Sequence, residues 1–236
     1  MSYNIRHGEG LDTILDLSRP ANIIKSIAPD ICGIQEVDNF CLRSGNVGQT
    51  EYLAQNTNMI GTFGEFMDFQ QGKYGMATLT TKPLISTKIL KLPDGKFEPR
   101  VAIVHEVKIA DGCIIAFANV HFDWITEKEG SFNRLNQSKA LVKYLDSLNR
   151  PTIITGDFNC TPNSPTMTYF ASQGFEFVTK GIDNLSFQGK EKAEIDHLIY
   201  KNYDNITFTQ KSAYLLKEPI VSDHRPFIIE LEVTFN

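Results

Sequence analysis

The sequence predicts an α+β fold: two antiparallel-rich sheets with helices outside. Three observations carry that expectation. Between residues 62 and 120, five short β-rich segments follow one another with only turn signals between them. Strands in direct succession, without helices, pair as antiparallel meanders. Helical periodicity is confined to a few places, the longest at residues 132–148. The 236 residues are 42% hydrophobic and show no linker, so residues 1–236 are read as one domain around a sizeable core.

Residues 2–6 form a first strand that ends in Asn4, Arg6 and His7, followed by a loop through Gly8 and Gly10. Ser18 is a suitable N-cap, Pro20 fits a first helical turn, and Ile23, Ile24 and Ile27 recur at helical spacing. Pro29 and Asp30 end that helix. Residues 31–35 are an apolar strand, left by Glu36, Val37 and Asp38, and residues 39–48 are a polar loop. A short helix covers residues 51–56.

Strands are expected at residues 62–69, 74–80, 84–92, 101–109 and 113–120. The long helix at residues 132–148 carries an apolar stripe of Leu135, Leu141, Leu145 and Leu148. Thr152, Ile153, Ile154 and Thr155 are β-branched and suit a buried strand. That strand stops at Gly156 and delivers Asp157 and Asn159, two apart, to one pocket; an Asx turn is the plainer reading. A proline-bearing loop (161–165), a short helix and strands near Phe175, Ile195, Ile206 and Phe227 complete the chain.

Composition limits the function classes. Lys plus Arg number 23 against 28 Asp plus Glu, and a net charge of −5 argues against tight non-specific binding to duplex DNA. The four cysteines lack zinc or disulfide spacing, so a reduced compartment is the default. No apolar run of about 18 residues exists to cross a membrane. The cytoplasm is the default location, with secretion the alternative if a leader has been trimmed, and a monomer is expected.

Polar and ionisable groups gather at the ends of strands. They are Asn4, Glu36, Asn119 with His121 and Asp123, Asp157 with Asn159, Asp196 with His197, and the late loop Ser222-Asp223-His224-Arg225-Pro226. Each has an ordinary explanation alone: a solvated strand end, a turn former, a core histidine. Their shared position at strand termini or adjoining loops favours a site.

In sequence order, the stretches Tyr3-Asn4-Ile5-Arg6, Pro29-Asp30, Gln35-Glu36-Val37-Asp38, Asn119-Val120-His121-Phe122-Asp123, Gly156-Asp157-Phe158-Asn159, Ile195-Asp196-His197 and Ser222-Asp223-His224-Arg225-Pro226 span nearly the whole chain. This ordered set resembles the endonuclease/exonuclease/phosphatase superfamily, which includes deoxyribonuclease I-like nucleases, inositol-phosphate 5-phosphatases and bacterial sphingomyelinases. The resemblance implies a four-layer α/β/β/α sandwich and a phosphoryl hydrolase dependent on Mg²⁺ or Mn²⁺.

It further implies Glu36 as the principal metal ligand, with Asn4 nearby and Asp223 a further candidate. His224 resembles the general base for attacking water, oriented by Asp196. Asp157 and Asn159 resemble the pair that positions nucleophile and scissile phosphate, and His121 the residue that contacts phosphate or assists the leaving group. Oxygen donors suit Mg²⁺ or Mn²⁺ better than zinc, and a histidine beside a carboxylate suits base duty near neutrality.

Arg100, Arg134 and His7 are softer substrate-binding candidates. For Arg100 a surface position is the alternative, and for Arg134 a solvated helix face. Arg43 is ambiguous in the same way, while His197 is expected to face away from the site. Tyr74-Gly75-Met76-Ala77 is read as packing.

The substrate is expected to be a phosphorylated small molecule or lipid headgroup, with DNA or RNA as the alternative. A non-catalytic binding module on the same fold is the third reading. Trp124, just past His121, could stack on a base, insert at a membrane or fill core space.

Overall fold

The computed structural model describes residues 1–235. Among the described residues, twelve strands and four α-helices run in the order β1 (Ser2–Asn4), α1 (Ser18–Ile27), β2 (Ile31–Asn39), α2 (Gln49–Thr57), β3 (Ile60–Phe69), β4 (Gly72–Thr80), β5 (Leu84–Lys91) and β6 (Val101–Ala110). There follow β7 (Cys113–His121), α3 (Lys128–Ser147), β8 (Thr152–Asp157), α4 (Pro165–Ser172), β9 (Glu176–Phe177), β10 (Asp196–Lys201), β11 (Thr207–Leu215) and β12 (Phe227–Thr234). One six-stranded sheet runs β11-β12-β1-β2-β4-β3 and the other β5-β6-β7-β8-β10-β9. Every named pair is antiparallel except β1–β2 and β7–β8, the parallel pairs at the two centres.

Period-two side-chain alternation sorts the residues into layers. Tyr3, Cys32 and Ile34 point outward under Ile24 of α1 and Leu53 of α2. Ala116, Ala118 and Ile154 point outward under Leu141 and Leu145 of α3 and Phe170 of α4. Their neighbours Ile115, Phe117 and Ile153 face inward and meet Phe208, Leu215 and Phe227 across the sandwich. The result is the four-layer, deoxyribonuclease I-like α/β/β/α arrangement.

Towards one end the inner layer turns polar. Asn119 accepts from Gln35 Nε2 at 2.7 Å and donates to the carbonyls of Ile34 (3.2 Å) and Ala77 (2.8 Å), tying one sheet to the other. Gly33 lets them approach there, because a methyl group on it would lie 2.7 Å from Asn119 Oδ1. Asn119 therefore holds the two sheets together and leaves no atom for substrate.

Several boundaries depart from expectation for local reasons. The Asp16 carboxylate, not Ser18, caps α1: Asp16 Oδ1 accepts from Ser18 N at 2.9 Å and from Ser18 Oγ at 2.6 Å. Strand β1 stops at Asn4, and Arg6–Gly8 turn as a 3₁₀ helix. Helix α3 begins at Lys128, a turn earlier than its leucine stripe announces. Strand β2 does not end at Gln35. It continues to Asn39 with Glu36 as the extra residue of a β-bulge, at φ 58°.

His105 on β6 is fully buried, with Nδ1 2.8 Å from Thr87 Oγ1 and Nε2 unpartnered. Burial lowers its pKa to about 4. The folded protein therefore resists a proton that the unfolded chain takes up near 6.5. Stability contributed by the neutral ring is lost as pH falls from about 6.5 through 4, on the order of 3 kcal/mol in all. Urea melts of His105→Gln are expected to lose stability less steeply than wild type between pH 7 and 4.5; equal slopes would assign the loss to other groups.

Candidate active site

The polar end of the sandwich lies at the carboxyl ends of the two central parallel pairs. Register places His121, Asp157 and Asp196 side by side, because His121 pairs with Asp157 across β7–β8 and Asp157 with Asp196 across β8–β10. Asn4 arrives from the facing sheet on β1. Gly156 makes the close pairing possible: its φ is 147°, and a side chain there would strike the Val120 carbonyl.

Asp157 Oδ2 is the centre of the cluster. It accepts from Asn4 Nδ2 at 3.2 Å and lies 3.7 Å from His121 Nε2 and 3.6 Å from His224 Nε2. The same Asn4 nitrogen donates to Glu36 Oε1 at 3.0 Å, so one amide joins carboxylates from both sheets. Asn4 Oδ1 accepts from the Arg6 N–H at 3.0 Å, so the amide turns its N–H groups to the cluster. His224 Nδ1 lies 2.8 Å from Asp196 Oδ2, and Phe187 covers the ring at 5.0 Å. Ser222 Oγ donates to the Asn4 carbonyl at 2.7 Å and accepts from the His224 N–H at 3.2 Å, fixing the last loop to the first strand.

The Asx turn lies within this cluster. Asp157 Oδ1 accepts the Asn159 N–H at 2.9 Å, while Asn159, at φ 50°, donates its amide to the Phe122 carbonyl at 3.1 Å. Asn159 therefore orients Asp157 and ties β8 to the loop after β7.

Burial sets the electrostatics. It raises the Asp157 carboxyl to about 7, although the His224 charge draws it down. It pushes Glu36 up as well, and the Asp223 charge adds to that. Asp196 is buried too, but the His224 charge and hydrogen bond hold it below the usual carboxylate range. Burial opposes a charged His224, yet Asp196 and Asp157 together lift it to about 10. His121 is driven well below 6.5 by burial, helped by the Arg100 charge. Asp157 and Asp196 are thus buried carboxylates held on either side of the His224 ring.

The softer candidates separate. Arg100 is no surface residue: it is 1% exposed, paired with Glu98 Oε2 at 2.9 Å and 4.9 Å over the Phe66 ring. Its Nε and Nη1 are buried without a partner. Arg134 is buried rather than solvated: Nη1 donates to the carbonyls of Asp123 (2.7 Å) and Ile125 (2.6 Å), while Nε has no partner. Asp123 likewise ties neighbouring elements together, accepting from Lys96 N of the loop before β6 at 3.2 Å and from Asn133 Nδ2 of α3 at 2.8 Å. His7 lies apart, 3.8 Å from Glu9, with its carbonyl held by Gln49 Nε2 at 2.7 Å. His197 faces away, bonded to the Cys160 carbonyl at 2.8 Å.

Other neighbours carry an ambiguous sequence signal, as Arg43 does, a packing one, as Tyr74 does, or none, as with Ser186 and Phe66. Arg43 forms a two-bonded pair with Asp38 at 2.8 Å and lies 5.2 Å over the Tyr74 ring. Tyr74 itself is held far above its usual range by burial and the Glu36 charge. Ser186 Oγ accepts from the Asp196 N–H at 3.0 Å. Phe66 sits at a second bulge, between Glu65 and Met67 on β3, which aims its ring at His121 (6.1 Å). Bulges of this kind re-aim side chains next to sites, and β2 uses one for Glu36.

The family model described as Endonuclease/Exonuclease/phosphatase matches residues 1–224. No curated protein matches the sequence. Among solved structures, an endonuclease/exonuclease/phosphatase from Beutenbergia cavernae DSM 12333 superposes with a TM-score of 0.81 at 14% identity, covering 98% of this chain and 70% of that one. A conserved protein of unknown function from Enterococcus faecalis V583 gives 0.79 at 22% identity, covering 100% and 98%. A mannosyl-6-phosphatase from Bacteroides thetaiotaomicron VPI-5482 gives 0.71 at 21% identity, covering 98% of each chain. At such identities these likenesses show the fold. Among the described residues no helix is long and apolar enough to cross a membrane.

Proposed function

This chain belongs to the endonuclease/exonuclease/phosphatase family, whose members hydrolyse phosphoester bonds, and from that premise we propose a divalent-metal-dependent phosphodiesterase or phosphatase acting on a phosphorylated small molecule or lipid headgroup. The observation that carries this reading is Asp157 Oδ2, which has Asn4 as hydrogen-bond partner and both His121 and His224 within 3.7 Å.

The donors fit Mg²⁺ or Mn²⁺. Glu36, Asp157 and Asp223 offer hard oxygens, and burial opposes the ionised forms of Glu36 and Asp157, a cost that a cation would offset. Glu36 and Asp223 would hold the ion, with Asn4 fixing the Glu36 carboxylate. Such an ion neutralises charge on phosphoryl oxygens. A second set, Asp157, Asp196 and His224, has ligand atoms within 4.8 Å of one another and is the alternative seat.

In this reading His224, oriented by Asp196, takes the proton from the attacking water, while Asp157 and Asn159 hold water and phosphate in line. His121 and the unpartnered N–H groups of Arg100 face the phosphate; a phosphate oxygen would satisfy donors that are costly to bury unbonded. The lifted pKa values favour a second assignment, with Asp157 as the base and His224 as a charged stabiliser. Nuclease activity is the alternative reaction, and the net charge of −5 speaks against an extended duplex substrate.

A side-by-side assay of plasmid DNA, RNA, inositol phosphates and sphingomyelin tests the substrate class. Turnover of an inositol phosphate or sphingomyelin, absent in Glu36→Ala, is expected. Turnover of plasmid DNA alone would replace this reading with the nuclease one.

A further inference from the structure

We propose that Phe97 and Trp124 form a stacking lip for a planar aromatic group, such as a nucleobase, carried on the phosphoester; this rests on the hydrolase reading above. Both side chains are exposed, Phe97 by 66% and Trp124 by 48%, and their rings lie 6.2 Å apart at 35°. That makes one nearly continuous aromatic surface where sandwiched core rings would be hidden. Lys96 Nζ lies 5.5 Å from the Phe97 centroid, its charge met by Glu129 at 2.8 Å and Glu127 at 3.7 Å, so the rings and not a net positive charge make the surface.

The lip is built and held stiff. Arg134 binds the carbonyls on either side of Trp124, those of Asp123 and Ile125. Gln137 bridges the two loops, accepting from the Asp123 N–H at 3.0 Å and donating to the Pro93 carbonyl at 3.0 Å. Lys96 N donates to Asp123 Oδ2, closing a second tie between them. Buried polar groups spent on fixing two exposed rings suit a surface preorganised for a ligand.

Both loops lead directly to the phosphate end of the site. Trp124 is three residues beyond His121, and Phe97 three before Arg100, whose buried Nε and Nη1 lack partners. With both loops leaving that end of the site, a phosphate meeting Arg100 and His121 would turn its esterified group towards the rings. A flat group gains a π-face there that an aliphatic or open sugar does not, and base stacking of this kind is sequence-tolerant.

Trp124 is the sole tryptophan, so its emission reports on the lip directly. Wild-type protein in Mg²⁺ buffer would be titrated with adenosine 5′-monophosphate, ribose 5-phosphate and phosphatidylcholine vesicles. Saturable quenching by the nucleotide, at a midpoint about tenfold or more below that of ribose 5-phosphate, is expected. Phe97→Ala, a change at an exposed ring, should erase the difference between the two ligands. Equal midpoints or no response to either would overturn the proposal, as would a blue shift with vesicles alone, which would mark a lipid-facing lip. Loss of metal-dependent hydrolysis with nucleotide quenching intact would instead strike the hydrolase reading.

Discussion

His224→Ala is expected to lower kcat for phosphoester hydrolysis by about 10²–10⁴-fold, or roughly 3–5 kcal/mol of barrier, with KM little changed. The ring stands 2.8 Å from Asp196 and 3.6 Å from Asp157, so the proton acceptor of this reading is oriented by one carboxylate and faces the other. Asp196→Asn should lose less, since the ring remains while its partner no longer carries the charge that favours imidazolium. Steady-state kinetics on a small activated phosphodiester measure both. If Asp157→Asn proves the more damaging change and His224→Ala keeps a tenth of the rate or more, the base is Asp157.

The second large effect concerns Glu36. Glu36→Gln keeps the size and the neighbouring Asn4 but removes the charge, and Mn²⁺ affinity is expected to weaken by at least about 100-fold. Stability should behave in the opposite way. Because burial and Asp223 raise the Glu36 pKa, its ionised form opposes folding above the ordinary carboxylate range. In EDTA the variant should therefore melt no lower than wild type. On adding Mn²⁺, the melting temperature of wild type should rise while that of the variant stays. A variant that melts lower in EDTA but is stabilised normally by Mn²⁺ would make Glu36 a structural residue.

Much of this architecture is readable from the chain because period-two alternation and turn residues report the strands. Asp157 is legible for the same reason: β-branched residues lead to Gly156, although the strand runs one residue past that glycine and ends on Asp157 itself. Glu36 stands out through its motif, but its bulge does not, since an extra residue in a ladder becomes visible only against its partner strand. Arg134 and Asn119 show the other limit. A polar residue on a helix or strand can bond to backbone carbonyls of a distant loop or sheet, and no local pattern separates that from solvent or substrate contact. Phe66 and Ser186 reach the site through long-range packing alone.

The most direct test is hydrolysis of a simple activated phosphodiester and the matching monoester by EDTA-treated protein, before and after adding Mg²⁺ or Mn²⁺, for wild type and Asp157→Asn. Negligible turnover without the ion, its restoration by the ion in wild type, and no restoration in the variant are the expected results. Undiminished turnover in EDTA, or equal rates in wild type and Asp157→Asn, would contradict a metal-dependent hydrolase centred on Asp157.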